Sequence, residues 1–259
     1  MKQSRLDKFI SEQTEYTRSQ IKVMVKKGEV AVDGVTAKDP GMKITAGKNI
    51  VTVLSKTIGF SEHTYVLLNK PAGYVSSTDE KDGRTVMELV PENLRKKGMF
   101  PAGRLDKDSL GALLITDDGE LAHRMLSPSR HIPKVYIVKL DRPFESKYIN
   151  IFESGVELSS GEKCLPARVK PVENCDKLAF VELCEGKYHQ VKRMFASVGN
   201  HVEVLMRVSL GGLVLPEKLA FGECMELLHK DVENLFSETD FDDFCARFSV
   251  SFSAFLINK

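Results

Sequence analysis

Residues 100–119 read FPAGRLDKDSLGALLITDDG, a short polar loop carrying Arg104, Asp106, Lys107 and Asp108 that runs straight into an apolar stretch from Ala112 to Thr116. The apolar run is short, β-compatible and bounded by turn residues, so it predicts a buried strand rather than a helix. Gly103 and Gly111 bracket the loop, where backbone angles or close approaches that a side chain would block become available. A carboxylate is thus held at a loop-to-strand junction. Groups in such places are positioned by the scaffold yet remain accessible, which suits catalysis. Composition alone also allows a solvated turn whose Asp and Lys side chains cap nearby backbone.

Working outward, the chain has 259 residues, 42% of them apolar and 28% charged, enough to bury a core and to form two domains. No apolar run reaches the roughly 18 residues of a membrane span, and the N-terminus lacks a signal-like apolar region, so a cytoplasmic protein with no membrane association is expected. Five widely spaced cysteines without a C-x-x-C pair read as reduced structural thiols, and no metal site is expected. Net charge is only +1, yet residues 1–60 carry 11 Lys and Arg against 6 Asp and Glu, while residues 230–259 carry 3 against 6. A basic head on a near-neutral body predicts a polyanion-binding module joined to a separate functional domain.

In the head, Leu6, Phe9 and Ile10 recur at helical spacing, and Thr17 with Gln20 forms a capping-box pattern opening a second helix with Ile21, Met24 and Val25 on its apolar face. Gly28 stops that helix, Asp33-Gly34 marks a hairpin, and a further strand covers 50–54. Over residues 4–54 this order resembles the S4 RNA-binding domain. The resemblance implies that Arg5, Lys8, Arg18, Ser19, Lys22 and Lys26 face structured RNA, where cations meet phosphates with strong salt dependence. Residues 55–63 read as a polar linker.

In the body, separated segments resemble the motifs of the pseudouridine synthases. The strand ending Asn69-Lys70-Pro71-Ala72-Gly73 resembles the first. GRLDKDSLG, residues 103–111, resembles the second, with Ser109 where Thr is usual and Ala112 where a larger apolar residue is common. Lys134-Val135-Tyr136 resembles the K-x-Y motif, and Tyr188-His189-Gln190-Val191-Lys192-Arg193 the third signature. The resemblance implies Asp106 as the catalytic carboxylate, Tyr136 against the target uracil, and Lys192 as the cation that keeps Asp106 charged, with Arg193 as the fallback. Lys70 is then a structural or phosphate-contacting group, Arg104 holds the vacated position or a phosphate, and Leu113 and Val138 are apolar walls. Whether Asp106 attacks C1′ or removes a sugar proton stays open.

The expected fold is α+β. A catalytic domain with a mixed, largely antiparallel sheet of pseudouridine synthase type (59–229) follows a small N-terminal S4-like domain of the αL type (1–58). A C-terminal tail (230–259) is left without a role. There Phe236, Phe241, Phe244, Phe248, Phe252 and Phe255 fit either a helical stripe or an alternating strand. The implied activity is site-specific conversion of uridine to pseudouridine in ribosomal RNA, free or in an assembly intermediate, by a monomer without a cofactor. YHQVKRMF is more like the small-subunit type than the large-subunit type. Two other readings stand beside it: a non-catalytic ribosome-assembly protein, and a hydrolase pairing Asp106 with Asp108, Asp117 or Asp118.

Overall fold

The computed structural model describes residues 3–14, 16–59, 62–237 and 239–257. The chain divides into two compact units, Met1–Thr64 with Val90–Met99, and Tyr65–Leu89 with Phe100–Lys259. Residues 62–64 and 90–99 group with the first unit, and residues 230–237 and 239–257 with the second.

In the first unit, β1 (Gln3–Arg5) leads into α1 (Leu6–Gln13) and α2 (Arg18–Lys26). Thr17 opens α2 with the expected capping box: its hydroxyl accepts from the Gln20 amide at 3.3 Å and its own N–H donates to Gln20 Oε1 at 2.8 Å. β2 (Val30–Val32) and β3 (Val35–Thr36) are joined by Asp33 and Gly34, both at positive φ, as a tight hairpin turn requires. β4 (Lys43–Thr45) pairs with β1, while β5 (Val51–Val53) and β6 (Lys56–Ile58) complete a sheet of order β3-β2-β5-β6. Leu6, Phe9 and Ile10 of α1 and Ile21, Met24 and Val25 of α2 pack with Val30, Val32, Val51 and Val53 into one core. The presence of β6 corrects the expectation of a linker over 55–63, of which residues 60 and 61 lie outside the described residues. An edge strand needs few apolar residues, and Lys-Thr-Ile offers only one.

The second unit is built on one sheet. Its strands are β7 (Tyr65–Lys70), β8 (Phe100–Ala102), β9 (Leu110–Thr116), β10 (Lys134–Leu140), β11 (Arg168–Val172), β12 (Cys175–Leu183), β13 (Val202–Leu210), β14 (Leu213–Val214) and β15 (Cys224–Glu226). The order is β11-β12-β10-β13-β9-β7-β15, with β8 on β9 and β14 on β13. Among the described strands of this sheet every pairing is antiparallel except β9 with β13, where Leu110 faces Met206 and Gly111 faces Arg207. The helices are α3 (Gly119–Leu126), α4 (Lys147–Glu153), α5 (Gln190–Ser197), α6 (His229–Glu233) and α7 (Phe241–Ile257).

Strand alternation separates two jobs. Leu67, Ala112, Leu114, Val135, Ile137, Met206 and Val208 share a core with Leu121 and Met125 of α3 and Phe244, Cys245 and Phe252 of α7. The Phe-rich segment is therefore a helix, with Phe244 edge-on to Phe180 at 6.0 Å between centroids. Phe255 lies outside the described side chains. The other face of the sheet carries Lys70, Gly111, Arg207 and Tyr136, which follow one another across β7, β9, β13 and β10 in register.

Candidate active site

The loop between β8 and β9 is held from inside by Lys70, the last residue of β7. Its fully buried ammonium donates to the carbonyls of Pro71 (3.1 Å), Asp106 (3.0 Å), Lys107 (3.3 Å) and Ser109 (2.8 Å). Three N–H donors shared over four carbonyls leave nothing for a phosphate. Of the two roles expected for Lys70, the geometry corresponds to the structural one, and burial removes it from any RNA contact. Burial pushes its pKa down to about 8, with Asp108 and Asp106 opposing that shift and Arg207 adding to it. Ser76 closes the loop from the side, its hydroxyl donating to Leu105 O at 2.9 Å and accepting from Leu105 N at 3.0 Å.

With its backbone tied down, Asp106 presents a half-buried carboxylate to the first turn of α5. His189 Nε2 stands 3.3 Å from Oδ1 and Lys192 Nζ 3.9 Å from Oδ2, while the buried Ser109 hydroxyl is 3.5 Å from Oδ2. Lys192 is nearer to Asp108, with 2.7 Å to each of its carboxylate oxygens. The ammonium thus bridges two carboxylates instead of serving Asp106 alone. Partial burial raises the Asp108 pKa, but the hydrogen bonds and charge of Lys192 outweigh it and leave Asp108 below the usual carboxylate range. Arg193, the expected fallback, turns away: it reaches Ser160 Oγ at 2.8 Å, Tyr188 O at 3.3 Å and Glu162 at 3.6 Å.

Tyr136 is buried on the sheet face described above. Leu113 and Val138 lie on that face too but are fully covered, so they back the site from beneath and do not form an open wall. Arg104 is exposed on the loop. Asp118, one candidate partner in a hydrolase pair, is buried; it caps α3 by accepting from Leu121 N at 2.9 Å and accepts from Tyr65 OH at 2.8 Å. Asp108 is held by Lys192. Among the described residues no group of three His, Cys, Asp or Glu is placed to hold a metal ion, and no helix is long and apolar enough to cross a membrane.

Two site residues were missed from sequence. His189 lies within the same signature as Lys192, three positions before it, and that was its available signal. Arg207 gave none, because LMRVSL reads as ordinary strand alternation. Its Nε donates to Ala112 O at 2.8 Å, and its buried Nη2 has no partner among the described residues.

On the first unit, Arg18, Ser19, Lys22 and Lys26 are exposed along α2. Lys8 forms an exposed ion pair with Glu12 at 3.6 Å. Arg5, more than half exposed, is also tied within the unit. Its guanidinium is forked onto the buried Asp7, Nε to Oδ1 at 3.0 Å and Nη2 to Oδ2 at 2.8 Å. That fork holds the Asp7 carboxyl below its usual range, first through the hydrogen bond.

Known proteins share this plan. The RNA pseudouridylate synthase family model matches residues 64–197, and the S4 domain model matches residues 4–50. An uncharacterised RNA pseudouridine synthase of Bacillus subtilis is 40% identical over 234 residues, spanning 89% of this chain and 98% of that protein. The ribosomal small subunit pseudouridine synthase A of Escherichia coli is 36% identical over 231 residues, spanning 89% and 99%. A crystal structure of a pseudouridylate synthase, 36% identical, superposes with a TM-score of 0.63 over 89% of this chain and 99% of that one.

Proposed function

The chain belongs to the RNA pseudouridylate synthase family, and from that premise we propose that it converts a specific uridine of small-subunit (16S) ribosomal RNA to pseudouridine. The observation that carries this reading is Asp106, held by its main chain on a buried lysine and faced by His189 and Lys192 at its two oxygens. The isomerisation breaks the bond between C1′ and N1, turns the detached uracil, joins C5 to C1′, gives the C5 proton up to solvent and takes one proton at N1. It needs a carboxylate at the ribose, a surface that retains the free base, and no net oxidant or reductant. Asp106 supplies the first and Tyr136 the second. The target uridine must be single-stranded or turned out of its helix to reach them.

The exposed residues of α2 supply sequence-tolerant affinity for phosphates, and the second unit supplies uridine choice and chemistry. Asp106, Tyr136, His189 and Lys192 together form the site, and the substrate is rRNA, free or in an assembly intermediate. Tritium release from 16S rRNA labelled at uridine C5 tests the proposal. Release from 16S but not 23S rRNA is expected; release from 23S alone would overturn the small-subunit assignment, and release from neither would overturn the activity.

A further inference from the structure

Tyr188 exposes 76% of its surface, so it contributes little to any core. Its ring lies flat on that of His189, with centroids 3.9 Å apart and planes within 17°. Consecutive side chains do not normally face each other in a helix or a strand. Here they do because His189 takes a left-handed backbone conformation, φ 48°, which residues with a Cβ adopt at a cost. The turn that imposes it is clamped by the buried Gln190, whose Oε1 accepts from Lys187 N at 2.9 Å and whose Nε2 donates to Glu185 at 2.5 Å. Arg193 holds the Tyr188 carbonyl. At its ring edge, His189 Nε2 is 3.3 Å from Asp106. His189 thus touches the Asp106 carboxylate while the Tyr188 ring stacked on it is open to solvent, with Lys192 and Arg193 on the adjoining helical turn.

We infer that the Tyr188–His189 pair is a stacking platform for the nucleobase next to the target uridine in the RNA strand. This rests on the proposed activity. When the uridine leaves its stack to meet Asp106, its neighbour loses a stacking partner, and the open face of Tyr188 replaces it. Any base has a flat face to offer, so the platform accepts all four and favours the larger purines.

The test uses the full-length protein and a short 16S rRNA fragment that it modifies, carrying 2-aminopurine on the 5′ or the 3′ side of the target uridine. Fluorescence at one of these positions is quenched on binding wild type and Tyr188→Phe, and not on binding Tyr188→Ala. For unlabelled RNA, Tyr188→Ala raises Kd about tenfold, and for RNA abasic at that neighbour by no more than about twofold. An unchanged Kd and quench in Tyr188→Ala, or an equal loss on the abasic RNA, overturns the platform. Tritium release by wild type on the same RNA separates the two ideas: release with an unaltered Kd sinks the platform alone, whereas no release from any 16S fragment sinks the proposed activity.

Discussion

The ammonium of Lys70 donates to the main-chain carbonyl of Asp106 across 3.0 Å, from inside the protein, so a buried cation fixes the backbone of the residue proposed as the catalytic carboxylate. Lys70→Met removes that clamp and leaves carbonyls without a donor, at a cost of about 1–3 kcal/mol each where no water replaces it. A shift of the loop by about 1 Å is enough to lower kcat about 100-fold. Single-turnover rates on the variant check this.

The same lysine makes a pH prediction. Burial lowers its pKa to about 8 from an ordinary value of 10.5, so the native state sheds this proton before the unfolded chain does. Between those values the unfolded state binds more protons, and the contribution of Lys70 to stability rises with pH. Below about 8 it is constant. Urea unfolding of wild type and Lys70→Met over this range should show the difference between them shifting in favour of wild type as pH rises. A flat difference would mean that Lys70 titrates normally.

Asp106→Asn keeps the shape of the side chain and removes its charge. Isomerisation should fall by several orders of magnitude while RNA affinity stays within about twofold, since every phosphate-facing cation is left in place. Single-turnover tritium release measures the first and filter binding the second. Residual activity within about tenfold of wild type would remove Asp106 from the mechanism.

Lys192→Met should lower kcat about 100-fold with little effect on RNA affinity, because the cation faces Asp106 at the reacting end of the site. It should also let the Asp108 carboxyl titrate higher, since Lys192 is what brings it below the usual range. Carbon-13 NMR of the Asp108 carboxyl reads that shift directly. Arg193→Met, which gives up its bonds to Ser160 and Glu162, should affect the chemical step less. Equal losses in rate and affinity for Lys192→Met would make it a phosphate-binding group.

Neutralising the exposed face of α2 with Lys22→Gln or Lys26→Gln should reduce the slope of log K against log salt by about 0.7–0.9 for each phosphate left without its cation. Arg5→Gln should behave differently, destabilising the first unit by stranding the buried Asp7 while leaving the salt slope nearly unchanged. A slope unaffected by either lysine would place the electrostatic anchor elsewhere.

The elements legible in sequence were those with a local cause. Thr17 and Gln20 announce α2 because both halves of a capping box lie within one turn, and Tyr65–Lys70 reads as a strand because it is buried on both faces. Asp106 was legible through the resemblance, not through composition. What escaped depended on tertiary context. Lys70 reads from sequence as structural or phosphate-contacting, and only the folded chain brings four carbonyls, three of them from a distant loop, around it. His189 acquires a partner only when α5 docks against the loop. The Phe residues of α7 are compatible with two periodicities, and the sheet face they cover decides between them. Lys192 was expected on Asp106, yet Asp108 is closer because the loop presents both carboxylates on the same side.

The parallel seam between β9 and β13 has a consequence for how the molecule comes together. A Cβ at Gly111, which sits at φ +99°, would lie 2.1 Å from the Arg207 carbonyl oxygen, so the two strands meet more closely than any other residue allows. The hydrogen bond between Arg207 and Ala112 joins positions 95 apart in sequence. Loop-closure entropy of that span opposes contact across the seam, so the seam is slower to nucleate than the local hairpins and helices. Catalytic competence should therefore appear after the helices and local hairpins have formed, which tritium release followed during refolding checks.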